Sequence, residues 1–448
     1  MPKPRSLWIR MALLVVSVVL AAEPALSAAN VKVRPLRERD AMQADLNVKR
    51  VDQLLLPAMR RAGIDCWVIM SREFNEDFVL QYIMDSKSES GHRNAFMFYD
   101  DGSPRLQRVV IGTHLPSKSR VFDRIESYQD EPGIKGPSLI PGLRKTIQAW
   151  NPKKIGINES RTIPFCDGLT VQMKKYLVDA IGPEYEKRLV SAEGMIVEFL
   201  DTRLPEELTY FKEACDITLM INEEALSNKA TTPGKTTIAD VREYIYNRLS
   251  ELALETWFEP GISIIRPAGS ESSGGTIIQP GDLIHTDFGI IYIGLSTDFQ
   301  KTAYVLKPGE IGAPGSYQMA LENSLRVQDA IFQSSKPGKI GFKVKDEADG
   351  LLKSWGIKGS IYSHSIGAGG HGIGAWIDPD WPDRYSVRTA FPLRLNSLMA
   401  IESSATTNIP EWDNRSYTLG TEEDAVMTDK GYQYIIPRQE KLYLIKGL

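Results

Sequence analysis

Acidic and imidazole side chains gather at four places in the second half of the sequence. The first is IHTDFGIIYIGLSTDFQKTAYVL, residues 284–306, where Asp287 and Asp298 lie eleven apart in two β-type runs. Residues 290–294 between them let the chain turn, so a hairpin or ribbon can bring both carboxylates to one point, and Gly289 leaves room for other groups to approach. Taken alone, two aspartates that cap turns would read the same way. The second is GGHGIG, in which glycines surround His371. Such a surround lets backbone fold tightly around a side chain, and imidazole is a common metal ligand. The third is LMAIESS, residues 398–404, where Glu402 ends an apolar run that reads as a buried strand. A carboxylate there is costly unless it is paired or bound to a metal. The fourth is TEEDAVMTDKG, residues 421–431, where Glu423 precedes a strand and a turn, and Glu422 and Asp424 read as solvated neighbours.

Four carboxylates and one imidazole suit Mn²⁺, Co²⁺, Fe²⁺ or Zn²⁺. Four negative charges also neutralise two divalent ions. Two such ions about 3.5–4 Å apart share a bridging water and lower its pKa toward neutrality, which makes a nucleophile for a carbonyl. The expected cofactor is therefore a pair of divalent metal ions, Mn²⁺ ahead of Co²⁺, Zn²⁺ or Fe²⁺.

The elements that must position these residues follow from the rest of the chain. Its 448 residues are too many for one ordinary domain, and 42% hydrophobic with 25% charged residues is a globular composition. A net charge of −4 without a Lys/Arg-rich tract makes nucleic acid a poor partner. Residues 1–29 differ in character: Lys3, Arg5 and Arg10 are followed by a 12-residue apolar run, Met11 to Ala22, and a small-residue exit near Ser27 to Ala29. This is the pattern of a bacterial-type signal peptide. A retained membrane anchor is the alternative, but a spanning helix needs ~20 apolar residues. The expectation is an exported protein, periplasmic or secreted, with no membrane partner once the signal is removed. Three cysteines, Cys66, Cys166 and Cys215, are too few for a disulfide framework.

Residues 45–203 alternate helical and strand-like stretches, with Cys66–Met70 as a short buried strand, and this argues for an α/β domain. A boundary falls near Asp201–Leu204. Pro205 then opens an amphipathic helix with Glu206 and Glu207 in its first turn, where they suit the helix dipole. Residues 205–448 are strand-rich with helical stretches near 316–335 and 342–356, an α+β domain that holds every candidate ligand.

The order and spacing of the candidates resemble the pita-bread metallopeptidases: aminopeptidase P, prolidase and methionine aminopeptidase, with the metal-free creatinase as a relative. Metal ligands in that family run Asp, Asp, His, Glu, Glu. Here DFG carries Asp287, STDFQKTAYV carries Asp298, GGHGIG carries His371, MAIE carries Glu402 and EEDAVMT carries Glu423. It is the resemblance of the last segment to a Glu-Asp-x-Val-x-x-Thr ending that assigns Glu423 rather than Glu422. Residues 45–203 resemble the creatinase-like N-terminal domain of the same branch, and DTRLPEEL, 201–208, its junction. The resemblance implies that Asp287, Asp298 and Glu423 bridge or chelate the ions and that His371 binds one of them. Glu402 would be both ligand and proton shuttle. The implied substrate is a peptide cut at its N-terminal bond by a metal-bridging hydroxide, typically with proline second. Dimers are common in the family, so a homodimer is an expectation carried by the resemblance alone.

The chain departs from the family pattern at three places. No histidine precedes the first aspartate in residues 266–282, Asp378 stands seven after His371, and Thr421 replaces an arginine two before Glu423. These departures bear on proline specificity more than on hydrolysis. His285, which would share a strand face with Asp287, and His364, seven before His371, are the candidate replacements for catalysis. The alternatives are a prolidase-type dipeptidase, another amidohydrolase of the same fold, and a non-catalytic pita-bread binding protein.

Overall fold

The run Cys66–Met70 is apolar at every position, which suits a strand covered on both faces. In the computed structural model, Cys66, Val68 and Met70 pack toward the helices Ile140–Trp150 and Val171–Ile181. Trp67 and Ile69 pack toward an interrupted helix over 36–62 and the helix Glu193–Asp201. The long helix stops at Gly63, whose φ of 65° is the left-handed conformation that glycine adopts freely. The strand Cys66–Arg72 sits inside a six-stranded mixed sheet. Gly91–Tyr99 and then Gln107–Thr113 add to it antiparallel on one side, and Ile155–Ile157 and Leu189–Ser191 add parallel on the other. Helices on both faces of a mixed sheet make the expected α/β architecture.

The structure describes residues 31–447 except 87–90, 114, 116–117, 131–135, 268 and 379–385. The expected signal peptide, residues 1–29, lies outside these. Among the described residues, no helix is long and apolar enough to cross a membrane. All three cysteines are buried and free.

The second half is α+β. The helix Pro205–Ala225 packs against Ile238–Glu251, whose Thr237 and Asp240 cap each other reciprocally. A five-stranded sheet runs Tyr443–Ile445, Phe299–Val305, Leu283–Phe288, Gly261–Arg266, Gly269–Glu271. A second runs Trp376–Ile377, Ser363–Ser365, Leu398–Ala400, Asp424–Thr428, Gly431–Tyr434. The helices Gly315–Ser334 and Gly341–Trp355 cover the strand-rich region where the sequence places helical stretches.

The two halves are joined by a buried charge cluster. Glu207 accepts from Arg50 at 2.6 Å and from Arg203 at 3.1 Å, and none of the three side chains is more than 3% exposed. Glu207 also accepts from the Leu204 backbone N–H at 2.7 Å. Its role is thus tertiary as well as capping, whereas Glu206 meets Lys49 at the surface. Removing one member of a buried pair costs about 3–5 kcal/mol, because the partner charge stays buried. An exposed pair contributes about 0–1 kcal/mol. Glu207→Ala is accordingly expected to lower the thermal unfolding midpoint by many degrees and Glu206→Ala to leave it within a degree or two. Equal small shifts in a melting comparison would show that the cluster does not hold the junction.

Candidate metal centre

Strands Leu283–Phe288 and Phe299–Val305 pair antiparallel with Asp287 opposite Gln300. Side chains alternate along a strand, so His285 and Asp287 share one face with Asp298 and Gln300. The ribbon predicted from the sequence forms, and it brings the two aspartates into hydrogen-bond contact.

Glu422 enters the same face because Gln300 bridges to it across the backbone. From the other sheet, His364 lies opposite Ala400, and Ala400 lies opposite Asp424. Glu402, two residues past Ala400, therefore projects to the same side as His364. The His364 Nε2 atom lies 3.4 Å from Glu422 Oε1, 3.8 Å from Asp298 Oδ2 and 3.8 Å from Glu402 Oε2. Ligand atoms of Asp298, His364 and Glu422 all lie within 4.8 Å of one another.

The protonation pattern gives this cluster its character. His364 Nδ1 meets the Ser365 carbonyl at 3.2 Å, which holds the proton on Nδ1 and leaves Nε2 as a bare lone pair. That lone pair faces carboxylate oxygens. His364 Nε2, Asp298 Oδ1 and Glu422 Oε1 are buried without a hydrogen-bond partner. Burial, and then the charges of His371 and Arg388, press the His364 pKa down to about 3. Burial lifts Asp287 to about 6, and burial with the Asp287 charge lifts Glu402 to about 8. Asp298 and Glu422 are raised well above the carboxylate range, by burial first, then by the Asp287 charge at Asp298 and by the Asp298 charge at Glu422. The unpartnered acceptor atoms of His364, Asp298 and Glu422, facing one another, fit a divalent cation, which would satisfy them together.

The sequence over residues 209–429 matches metallopeptidase family M24. The Xaa-Pro dipeptidase of Pyrococcus furiosus is 26% identical over 198 residues, 44% of this chain and 53% of that protein. The Xaa-Pro dipeptidase of Pyrococcus horikoshii is 25% identical over 252 residues, 56% of this chain and 65% of that protein. The matched region thus spans between half and two thirds of those relatives. The crystal structure of an X-Pro aminopeptidase from Thermotoga maritima superposes with a TM-score of 0.63 at 17% identity, covering 87% of this chain and 99% of that one. The chain carries an M24 metallopeptidase domain. Its architecture is the creatinase-like N-terminal domain followed by the pita-bread fold, as the sequence resemblance implies.

Within the M24 domain, Glu423, expected as a ligand, faces away from the cluster, and His371, also expected, lies at its exposed edge. Glu423 follows Glu422, so alternation turns it to the opposite face, where Lys301 holds it at 2.5 Å and the Gln439 N–H donates to it at 2.9 Å. It is an internal ion pair outside the cluster, and Glu422, read from sequence as solvated, is 1% exposed inside it. His371 is exposed, with its ring centroid 4.6 Å from that of His364 and 5.3 Å from that of Trp257. It stands on the solvent side of the cluster. His364, expected only as a catalytic replacement, takes the interior position.

Glu422 and Asp424 are two apart and so share a face, and the Asp298 N–H donates to Asp424 at 3.1 Å. His364 and His371 are seven apart, the interval expected between a metal histidine and a second histidine. His285 is half-buried, its pKa pressed to about 4 by burial, and it stands beside Gln300 and the Gly420 backbone. Gln300 and Lys301, whose roles the sequence did not suggest, occupy opposite faces of one strand.

The raised carboxylates carry a stability consequence. Asp287 and Glu402 keep protons in the folded protein at pH values where the unfolded chain has released them. A native state that binds more protons loses stability as pH rises. The loss begins near the ordinary glutamate value of 4.5 and continues to about 8. Chelator-stripped protein is therefore expected to melt several degrees lower at pH 8 than at pH 6, and added divalent cation should flatten that slope. A midpoint that rises over the same interval would contradict the crowding described here.

Proposed function

We propose that this chain is a dinuclear-metal aminopeptidase that removes the N-terminal residue from peptides with proline in second position. The observation that carries the reading is the bare His364 Nε2 facing Asp298, Glu402 and Glu422 with no donor between them. The ligands in this reading are Asp287, Asp298, His364, Glu402 and Glu422. Four carboxylates match the charge of two divalent ions, with Mn²⁺ the first candidate. When bound, such a pair lowers the pKa of water and polarises the scissile carbonyl.

The chain's own residues supply the rest. One Glu402 oxygen is held by the Gln300 amide at 2.9 Å, and the side chain is a quarter exposed, so the other oxygen can meet both the cluster and substrate. A carboxyl group tuned toward neutral pH can take a proton from the attacking water and return it to the departing amine. His371 stands at the mouth within reach of a substrate carbonyl. Trp257 and Tyr362, with ring centroids 5.3 Å and 6.2 Å from His371, offer flat apolar surface suited to a pyrrolidine ring. Proline preference is further supported by the names of the Pyrococcus relatives. Those names favour a second reading, a dipeptidase of prolidase type. The signal-peptide pattern of residues 1–29 supports an activity outside the cytoplasm.

The test is a panel of an Xaa-Pro dipeptide, an Xaa-Pro tripeptide and Xaa-Ala controls, assayed with Mn²⁺, Co²⁺ and Zn²⁺. Tripeptide cleavage with proline preference is expected. Cleavage of the dipeptide alone would establish the second reading instead, and indifference to proline would remove the substrate assignment. Asp298→Ala should abolish turnover, and Glu402→Gln should lower kcat by about 10²–10⁴-fold, the usual weight of general acid–base catalysis.

The assignment of the last ligand has its own check. Glu422→Gln is expected to reduce bound metal per chain. Glu423→Gln should leave metal content near the parent level while lowering the melting point, because it strands the Lys301 charge. Elemental analysis showing the reverse order would return the ligand role to Glu423.

A further inference from the structure

The Gln300 side chain donates a hydrogen bond to the Glu402 carboxylate, from Nε2 to Oε1 at 2.9 Å. Gln300 is 7% exposed and lies directly opposite Asp287 in the ribbon. Its other end is confined as well. A Cβ placed on Gly420 would lie 2.4 Å from Gln300 Oε1 and 3.4 Å from His285 Nε2, so the amide fits only because residue 420 has no side chain. The Gln300 N–H donates to the Glu422 carbonyl at 3.3 Å, which fixes the base of the same side chain against a second ligand strand.

From this geometry we propose that Gln300 is a positioning residue for Glu402, and that Gly420 is the space that allows it. The inference rests on the metal-site reading given above. A carboxylate that must both bind a cation and move a proton needs one oxygen held and the other left free. A lysine or arginine at position 300 would hold it too, but would also bring a fixed positive charge into the cluster and compete with the cation. A glutamine supplies a donor without charge. The adjacent Lys301 is sent by alternation to the other face, where it meets Glu423. The strand therefore delivers a neutral donor to the cluster and a cation away from it.

The test compares the full chain with Gln300→Met, which keeps length but loses the donor, and with Gly420→Ala, which keeps the glutamine but takes its space. Two readouts are used on chelator-stripped protein: the Mn²⁺ dissociation constant by calorimetry, and kcat and KM on an Xaa-Pro tripeptide. Partners of metal ligands typically contribute about 10–100-fold in affinity or activity. Gln300→Met is expected to weaken Mn²⁺ binding or lower kcat within that range, with KM changed less than about twofold, and Gly420→Ala should do the same. In a Glu402→Gln background, Gln300→Met should cause little further loss, since it acts through a group already altered. Parent-like Mn²⁺ affinity and kcat in Gln300→Met would overturn the proposal, as would a loss that adds in full to that of Glu402→Gln. A parent chain that binds no Mn²⁺ would bring down the metal-site reading and this one with it. A parent that binds Mn²⁺ beside an unaffected Gln300→Met would bring down only the role of Gln300.

Discussion

Buried acceptor atoms that outnumber the donors reaching them are the constraint around which the second half is arranged. Asp287, Asp298, Glu402 and Glu422 converge with an imidazole whose proton is committed to the Ser365 carbonyl. In an interior of low dielectric, such a group of carboxylates keeps protons or takes a cation. The fold holds fixed cations off from the cluster. Lys301 is turned to the far face of its strand and neutralised by Glu423. Arg388 spends its guanidinium on the carbonyls of His371 and Gly372, at 2.9 Å each. The charge deficit is thus preserved by strand alternation, with positive residues close in sequence and displaced in space.

The same alternation explains how much of the site was legible. Asp287, Asp298 and Glu402 were readable because each sits in an apolar β-type run, where a carboxylate needs a reason to be buried. The ribbon carrying the two aspartates was readable for the same cause. At Glu422-Glu423, two identical side chains adjoin, and only the pairing partner across the sheet decides which one faces inward. That partner is Gln300, more than a hundred residues earlier. At the histidines, GGHGIG reads as the cradle of a ligand, and its glycines also serve packing. A Cβ on Gly370 would lie 1.8 Å from Trp257, and one on Gly374 would lie 2.1 Å from Asp201. The glycines let a loop pass between bulky neighbours, while the buried imidazole comes from the ordinary-looking strand before it.

The fold class was legible for a simpler reason. Alternating apolar runs and capping patterns are local, and the helix ending at Gly63, the Thr237–Asp240 cap and the two helices after residue 314 all formed as their patterns required. What local pattern does not carry is the partner of a charge. Glu207 read as a dipole-friendly first-turn residue, yet Arg50 reaches it from 157 positions away.

That long-range pair bears on the active face as well as on stability, because the N-terminal half also touches the histidine loop. The Tyr82 hydroxyl accepts from the Gly369 N–H at 2.9 Å. Phe78 and Phe165 stack at 4.1 Å, and both rings lie within 3.3 Å of where a Cβ on Gly369 would be. Gly369 is two residues before His371, so the first half sets the position of the loop that carries the exposed imidazole. The cluster's chemistry is contained within residues 287–422, whereas the loop carrying His371 is braced from the other half. A substitution at the seam between the halves can therefore shift His371 while leaving the buried His364 and its carboxylates in place.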